Sequence, residues 1–282
     1  MDLYLDERQR KKRRMILKLK IYGGIAGFFI LLALAAYAIV YSQLFHIKKI
    51  ETSFSADSHG FKPTIDQEQL IKDLKKFFAG QSKIASFLEP ENILIWDNKK
   101  LDQFQKNPAI AAISLEKDYL NREIKMTVQE RERFGLWCPV SSTDNASTTT
   151  TGGCWWFDKN GVVFGEAPIA EGNLINKIND SSGRSFNLGD LVLEDKFLPN
   201  LVKIFGVLEK SGLQIKSLEL KNIQLQEITT DPSVKFLPKI YFSLRFDPGF
   251  GLSAIESLKS TGLDKIDYID LRVENRAYYK AK

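Results

Sequence analysis

The longest uncharged stretch of the chain, Ile21 to Tyr41 (IYGGIAGFFILLALAAYAIVY), constrains its architecture most. An α-helix rises about 1.5 Å per residue, so roughly 20 apolar residues cross a hydrocarbon core of about 30 Å. Arg8, Arg10, Lys11, Lys12, Arg13, Arg14, Lys18 and Lys20 precede the stretch. Lys and Arg resist translocation, so the expectation is a single-pass anchor with residues 1–20 cytoplasmic and everything after Tyr41 outside. Tyr22, Tyr37 and Tyr41 near its ends suit the headgroup level. The competing reading is a cleaved signal peptide, because Ala36-Tyr37-Ala38 has the small-x-small form of a cleavage site. The long basic leader and the apolar run through Ile39 and Val40 favour the anchor.

Charge divides along the same line. The chain has 40 basic and 35 acidic side chains, and the leader, with eight basic and three acidic, accounts for the whole difference. The external part is formally neutral and makes a poor nucleic-acid binder, which needs a basic face to replace counterions. The leader reads as a topology signal with attraction for anionic lipid. From Ser42 to Lys282 there is enough chain for two modest domains.

After the anchor, Phe45 to Thr52 alternates as a short strand leaving the membrane. A polar loop with Gly60 and Pro63 follows. Thr64 and Gln67 form a capping box ahead of a helical stripe of Leu70, Ile71, Leu74, Phe77 and Phe78, with Gly80 placed to end it. Asn98 can cap a shorter helix carrying Leu101 and Phe104. Ala111, Ile113 and Leu115, then Ile124, Met126 and Val128, alternate on either side of a turn near Asp118 to Asn121, which predicts a β-hairpin. The element order is β-α-α-β-β.

Beyond Arg133 the pattern turns to β. Phe134–Cys138 and Cys154–Asp158 flank a Ser/Thr/Gly-rich segment, 139–153. If the flanks pair, Cys138 and Cys154 face each other, and two cysteines in an exported chain more often bond than react. Without nearby histidines they make no metal set. A turn at Asp158–Gly161 leads to a strand at Val162–Phe164. Leu198-Pro199 opens a helix ending at Ser211-Gly212, and strands are expected at Ile215–Leu220, Gln224–Thr229 and Lys239–Asp247. Ser253 and Glu256 make a second capping box for a helix stopping at Gly262. One final strand sets Ile269, Leu271 and Val273 inward and continues through Tyr278 and Tyr279.

No catalytic set stands out. His46 and His59 lack neighbouring nucleophiles, and no Gly-x-Ser-x-Gly elbow or phosphate loop occurs. A carboxylate pair, as in a wall-acting glycosidase, stays open, though surface charge is the plainer account of the acids. The expectation is a binding protein, not an enzyme, with no cofactor and no metal. A terminal strand at a sheet edge offers unpaired N–H and C=O groups to another chain, and Arg272, Tyr278 and Tyr279 are types that carry interface energy. The same charged strand also reads as an edge protecting itself from such pairing, and residue chemistry alone leaves the two readings balanced.

The anchor, the β-α-α-β-β unit, HIKKIE at its start, NPAIAAISLEKDYLNREIKMTVQERERFGLW at its end and IDYIDLRVENRAYYK near the C-terminus together resemble the cell-division family FtsQ/DivIB. The resemblance covers nearly the whole chain and rests on the order of parts. It implies an α+β architecture: a transmembrane helix (21–41), a POTRA domain (45–132), and a mixed β-sheet domain with flanking helices (133–282). It also implies a non-enzymatic scaffold at the septum that regulates cell-wall synthesis. The implied partners are FtsB- or DivIC-like and FtsL-like proteins, with other division proteins on the POTRA domain. Contacts are implied at Asp270, Leu271, Arg272, Val273, Asn275, Ala277, Tyr278 and Tyr279. Asp270-Leu271-Arg272 matches the family's DLR, with Val273 where an aromatic is common. Alternative functions are a POTRA-bearing translocation component and a tethered wall hydrolase.

Overall fold

The apolar stretch is helical in the computed structural model, which describes residues 2–55, 65–104, 107–140, 153–168, 172, 174–221, 223–224, 226–231 and 237–282, with side chains from Arg14 onward. His59, Gly60, Pro63, Thr64 and most of the Ser/Thr tract lie outside the described residues. Helix α1 (Asp2–Tyr41) does not start at the apolar boundary; its backbone runs unbroken through the basic leader. Lys and Arg are good helix formers and nothing in the leader breaks a helix, so the change of polarity at Ile21 leaves the backbone unaffected. Arg14–Tyr41 is the one described helix long and apolar enough to cross a membrane, and none of its most apolar window is buried against the rest of the chain.

The chain divides into two compact units. Unit 1 holds Met1–Ser55, Ile65–Gln105 and Ala112–Val128, and unit 2 holds Gln129–Lys282 with the short segment Lys106–Ala111. In unit 1, a 3-10 turn at Gln43–Phe45 precedes β1 (Lys49–Ser55), so the strand expected from Phe45 begins four residues later. Helix α2 (Gln67–Gly80) buries Leu70, Leu74 and Phe78. Its cap is Asp66, whose carboxylate accepts from the N–H groups of Glu68 and Gln69; Thr64, expected to cap it, lies outside the described residues. Helix α3 (Lys83–Leu88), capped by Ser82, has no counterpart in the sequence reading. The segment expected to be a second helix is a 3-10 stretch, Asn98–Gln103, capped by Asp97, because the Asn98 carboxamide is already accepting from Leu115 N–H. Strands β2 (Ile110–Asp118) and β3 (Glu123–Glu130) follow, giving a sheet in the order β1-β3-β2. Ile113, Leu115, Ile124, Met126 and Val128 are buried, as their alternation predicts.

Unit 2 is built on nine strands. They are β4 (Gly135–Pro139), β5 (Cys154–Phe157), β6 (Val163–Ala167), β7 (Asn176–Asp180), β8 (Ser217–Leu220), β9 (Glu227–Thr230), β10 (Lys239–Ser243), β11 (Ile266–Val273) and β12 (Arg276–Ala281). Their order across the sheet is β6-β5-β4-β7-β8-β9-β10-β11-β12. Three neighbouring pairs are parallel: β4 with β7, β7 with β8, and β10 with β11. Parallel neighbours need a crossover. Helix α4 (Leu198–Lys210) supplies it between β7 and β8, and α5 (Phe250–Lys259) between β10 and β11. Leu201, Ile204, Phe205 and Leu208 of α4 and Ile255 of α5 form one core with Ile178, Leu218, Ile228, Ile240, Phe242, Ile269 and Leu271.

Two details of unit 2 differ from expectation. Helix α5 begins at Phe250, with no side-chain cap, so Ser253 lies inside it. Its first turn lies close to β11: a Cβ added to Gly251 would stand 2.9 Å from Leu271 Cδ1. Strand β7 also has no sequence counterpart. Its buried carboxylate, Asp180, accepts from Trp137 Nε1 at 2.9 Å, Arg184 Nη2 at 2.9 Å and Ser182 N–H at 2.9 Å, which satisfies a group too costly to bury alone.

Cys138 and Cys154 are joined by a disulfide, their Cα atoms 4.3 Å apart. They continue the antiparallel register Leu136↔Trp156 and Trp137↔Trp155 of β4 and β5. Both sulfurs lie in a small cluster with Leu136, Ala167 and Trp156, while the intervening Trp137 belongs to the main core.

Candidate functional site

The expected single terminal strand is a hairpin. Strand β11 lies between β10, to which it is parallel, and β12, to which it is antiparallel. Val273↔Arg276 closes the hairpin around Glu274 and Asn275, and Asn275 takes φ 56°, a left-handed conformation that asparagine tolerates better than most residues. Reading Val273 as core is therefore wrong: it is exposed at the turn. The free edge belongs to β12, all of whose residues are exposed. Among the described residues no strand pairs with its outer side.

This separates the eight candidate contact residues. Leu271 is buried under α5 and is core. Asp270 and Arg272 stand on the opposite face of β11, in a network crossing three strands. The Arg272 guanidinium donates to Asp270 through Nε (2.9 Å) and Nη2 (2.7 Å), and to Glu227 Oε2 of β9 through Nη1 (2.9 Å). It also stacks over the Tyr241 ring of β10, 4.9 Å from the centroid, and Tyr241 meets Tyr268 edge-on at 5.9 Å. The Arg272 hydrogen bonds hold the Asp270 carboxyl below the usual carboxylate range, opposed by partial burial, and the carboxylates in turn hold the guanidinium charged. Arg272 is therefore committed within the sheet. Glu227, Tyr241 and Tyr268 were not singled out by sequence. The available signal was Tyr241 at the outward position between Ile240 and Phe242.

Ala277, Tyr278 and Tyr279 lie on β12 itself. Tyr278 pairs with Asp270 and so shares the Arg272 face, whereas Tyr279 pairs with Ile269 on the core-side face. The rings are about half exposed, one on each side of the edge. Lys280, paired with Tyr268, is 3.4 Å from Asp267, and Lys282 N–H donates to Lys265 O, which ties down the end of the chain. Chemically, the edge offers a row of backbone donors and acceptors flanked by two rings.

Among the described residues no group of three or more His, Cys, Asp or Glu side chains is placed to hold a metal ion. His46 follows the 3-10 turn beyond the end of α1, and the other histidine, His59, is outside the described residues. No protein-family model matches the sequence, and no curated protein is significantly similar to it.

Proposed function

We propose that this chain is a single-pass membrane scaffold of the FtsQ/DivIB kind, which receives a strand from an FtsB- or DivIC-like partner along the outer side of β12. One observation carries the reading: the sheet ends in an exposed strand, β12, whose outer hydrogen-bonding side no described residue pairs with and which carries Tyr278 and Tyr279. Strand addition needs such an edge, and exposed tyrosines supply contact area at low conformational cost. The β-α-α-β-β order of unit 1, with its sheet order β1-β3-β2, supports a POTRA-like module beside the anchor. In this reading α1 spans the membrane with the basic leader in the cytoplasm, which confines encounters to the membrane plane and raises effective concentration. The protein works by binding and positioning division proteins at the septum.

The test is hydrogen exchange on the full chain in lipid nanodiscs, with and without an FtsB- or DivIC-type partner. Strand addition slows exchange of alternate amides within Arg276–Ala281. Binding that leaves the exchange of those amides unchanged removes the proposed mechanism.

A further inference from the structure

Within unit 1, the end of α1 is fastened to the sheet and helices that follow it. Asn92, fully buried, donates from Nδ2 to Ile39 O in the last turn of α1 (3.1 Å), while its Oδ1 accepts from Leu94 N–H (3.0 Å). The chain on either side pairs antiparallel: Ile47 N–H donates to Glu91 O, Ile93 N–H donates to Phe45 O, and His46 bridges to Asn92. Glu89, at φ 64°, makes the turn that delivers this segment. A second fastening comes from the β2–β3 turn. Arg122 Nη1 donates to Gln43 O (3.0 Å), and Lys48 N–H donates to Arg122 O (2.8 Å). The orientation of unit 1 therefore follows that of the helix axis.

These fastenings place exposed apolar side chains where the helix ends. Leu120, at the tip of the β2–β3 turn two residues before Arg122, is 96% exposed; Tyr119 is 54% and Leu44 71% exposed. Asp118 holds the tip in shape by accepting from the N–H groups of Leu120 and Asn121. Leu44 follows the last residue of α1 by three positions. A fully exposed leucine beside an exposed tyrosine, on a fixed turn next to a helix of membrane-spanning length, has the composition of an interfacial anchor.

The geometry points to a second membrane contact: the Tyr119-Leu120 turn and Leu44 insert at the headgroup level of the bilayer that α1 crosses, and so fix the tilt of unit 1 on the membrane. The occupant is lipid because Arg122 ties the turn to Gln43, two residues beyond the end of α1, so the exposed side chains lie where a membrane-spanning helix leaves the bilayer. The inference rests on α1 being a membrane span.

The experiment uses the full chain in phosphatidylcholine vesicles, with an environment-sensitive fluorophore on one introduced cysteine. The two native cysteines are already bonded to each other. Probes go at Leu120→Cys, at Leu31→Cys in the middle of the apolar stretch, and at Ala112→Cys, an exposed position on β2. Ala112 is about 20 Å along β2 from its end at Asp118, where the turn begins, at about 3.3 Å per residue. The expected result is that lipid-borne quencher near the headgroups reduces the Leu120 signal several-fold more than the Ala112 signal, with aqueous iodide showing the reverse order. Lipid access at Leu31 with free iodide access at Leu120 overturns the contact and leaves the span standing. Iodide access at Leu31 overturns both. Shielding of Leu120 from both quenchers means that protein covers the turn, and overturns the lipid assignment. Asn92→Ala supplies a further readout: it weakens the fastening and narrows the difference between the Leu120 and Ala112 probes, while exchange protection within β3 reports that unit 1 stays folded.

Discussion

Replacing Arg272 by alanine separates two roles that a partner-binding residue can have. In the structure the guanidinium makes three charge-assisted hydrogen bonds, to Asp270 and Glu227, and covers the Tyr241 ring. Arg272 and Glu227 are each 36% exposed, so solvent screening reduces each bond to about 0.5 kcal/mol, and the ring contact adds about 0.5–1 kcal/mol. The removal should cost about 2 kcal/mol locally, which corresponds to a roughly 30-fold loss of hydrogen-exchange protection in β10 and β11. Tyr279→Ala is the contrasting perturbation. That side chain is 55% exposed, so its loss should cost under about 1 kcal/mol of stability, while removing an edge aromatic should weaken partner binding by about 10-fold or more. Both quantities can be read on the full chain in nanodiscs, protection by exchange mass spectrometry and affinity by titration with the partner. The reasoning is refuted if Arg272→Ala leaves protection within threefold of wild type yet abolishes binding, because the guanidinium would then face the partner. It is refuted equally if Tyr279→Ala binds as tightly as wild type.

Two further outcomes follow from the same geometry. Removing the disulfide by the paired change Cys138→Ala and Cys154→Ala reopens a loop of about 15 residues and should lower the stability of unit 2 by about 3 kcal/mol, read from the fluorescence of Trp137, Trp155 and Trp156 in denaturant; a loss below about 1 kcal/mol would mean that the unfolded chain is constrained there without the bond. Because Arg272 lowers the Asp270 pKa in the folded state, the contribution of that carboxylate is present above the ordinary carboxylate range and is lost as pH falls through the folded value; the thermal midpoint should therefore drop more in wild type than in Asp270→Asn between about pH 6 and pH 3, and parallel curves would show that the pair adds nothing to stability.

Periodicity was legible wherever one face of an element is buried and the other wet. Ile124, Met126 and Val128 announce β3, and the stripe of Leu201, Ile204, Phe205 and Leu208 announces α4, with Pro199 in its first turn and Gly212, at φ 68°, just beyond its end. Strand β7 was not legible because it is short and polar. Asn176–Asp180 is held by parallel partners on both sides, and its buried Asp180 is satisfied by the nearby Ser182 and Arg184 together with Trp137, 43 residues away in the chain. The helix starts were missed by one to four residues, with Asp66, Asp97 and Gly249 at the caps where Thr64, Asn98 and Ser253 were expected, since neighbouring polar side chains compete for the same orphan N–H groups and packing chooses between them.

The candidate site shows the same division. Alternation in Ile269 and Leu271 told which face of β11 is buried, but the turn at Glu274 and Asn275 that ends it was read as continuous strand, because the outward and inward pattern runs on through it. Which strand is left at the edge, and that Arg272 is engaged by Asp270, Glu227 and Tyr241, depended on strand order, and strand order depends on contacts between residues far apart in sequence. Sequence alone was enough to give an apolar helix of membrane-spanning length, and it offered the cysteine pair on condition that its flanks form a hairpin, because length, polarity and spacing are local quantities. That β12 is the strand left open among the described residues came from the fold, because a free hydrogen-bonding side is defined by what lies next to it, and no stretch of sequence encodes its neighbours alone.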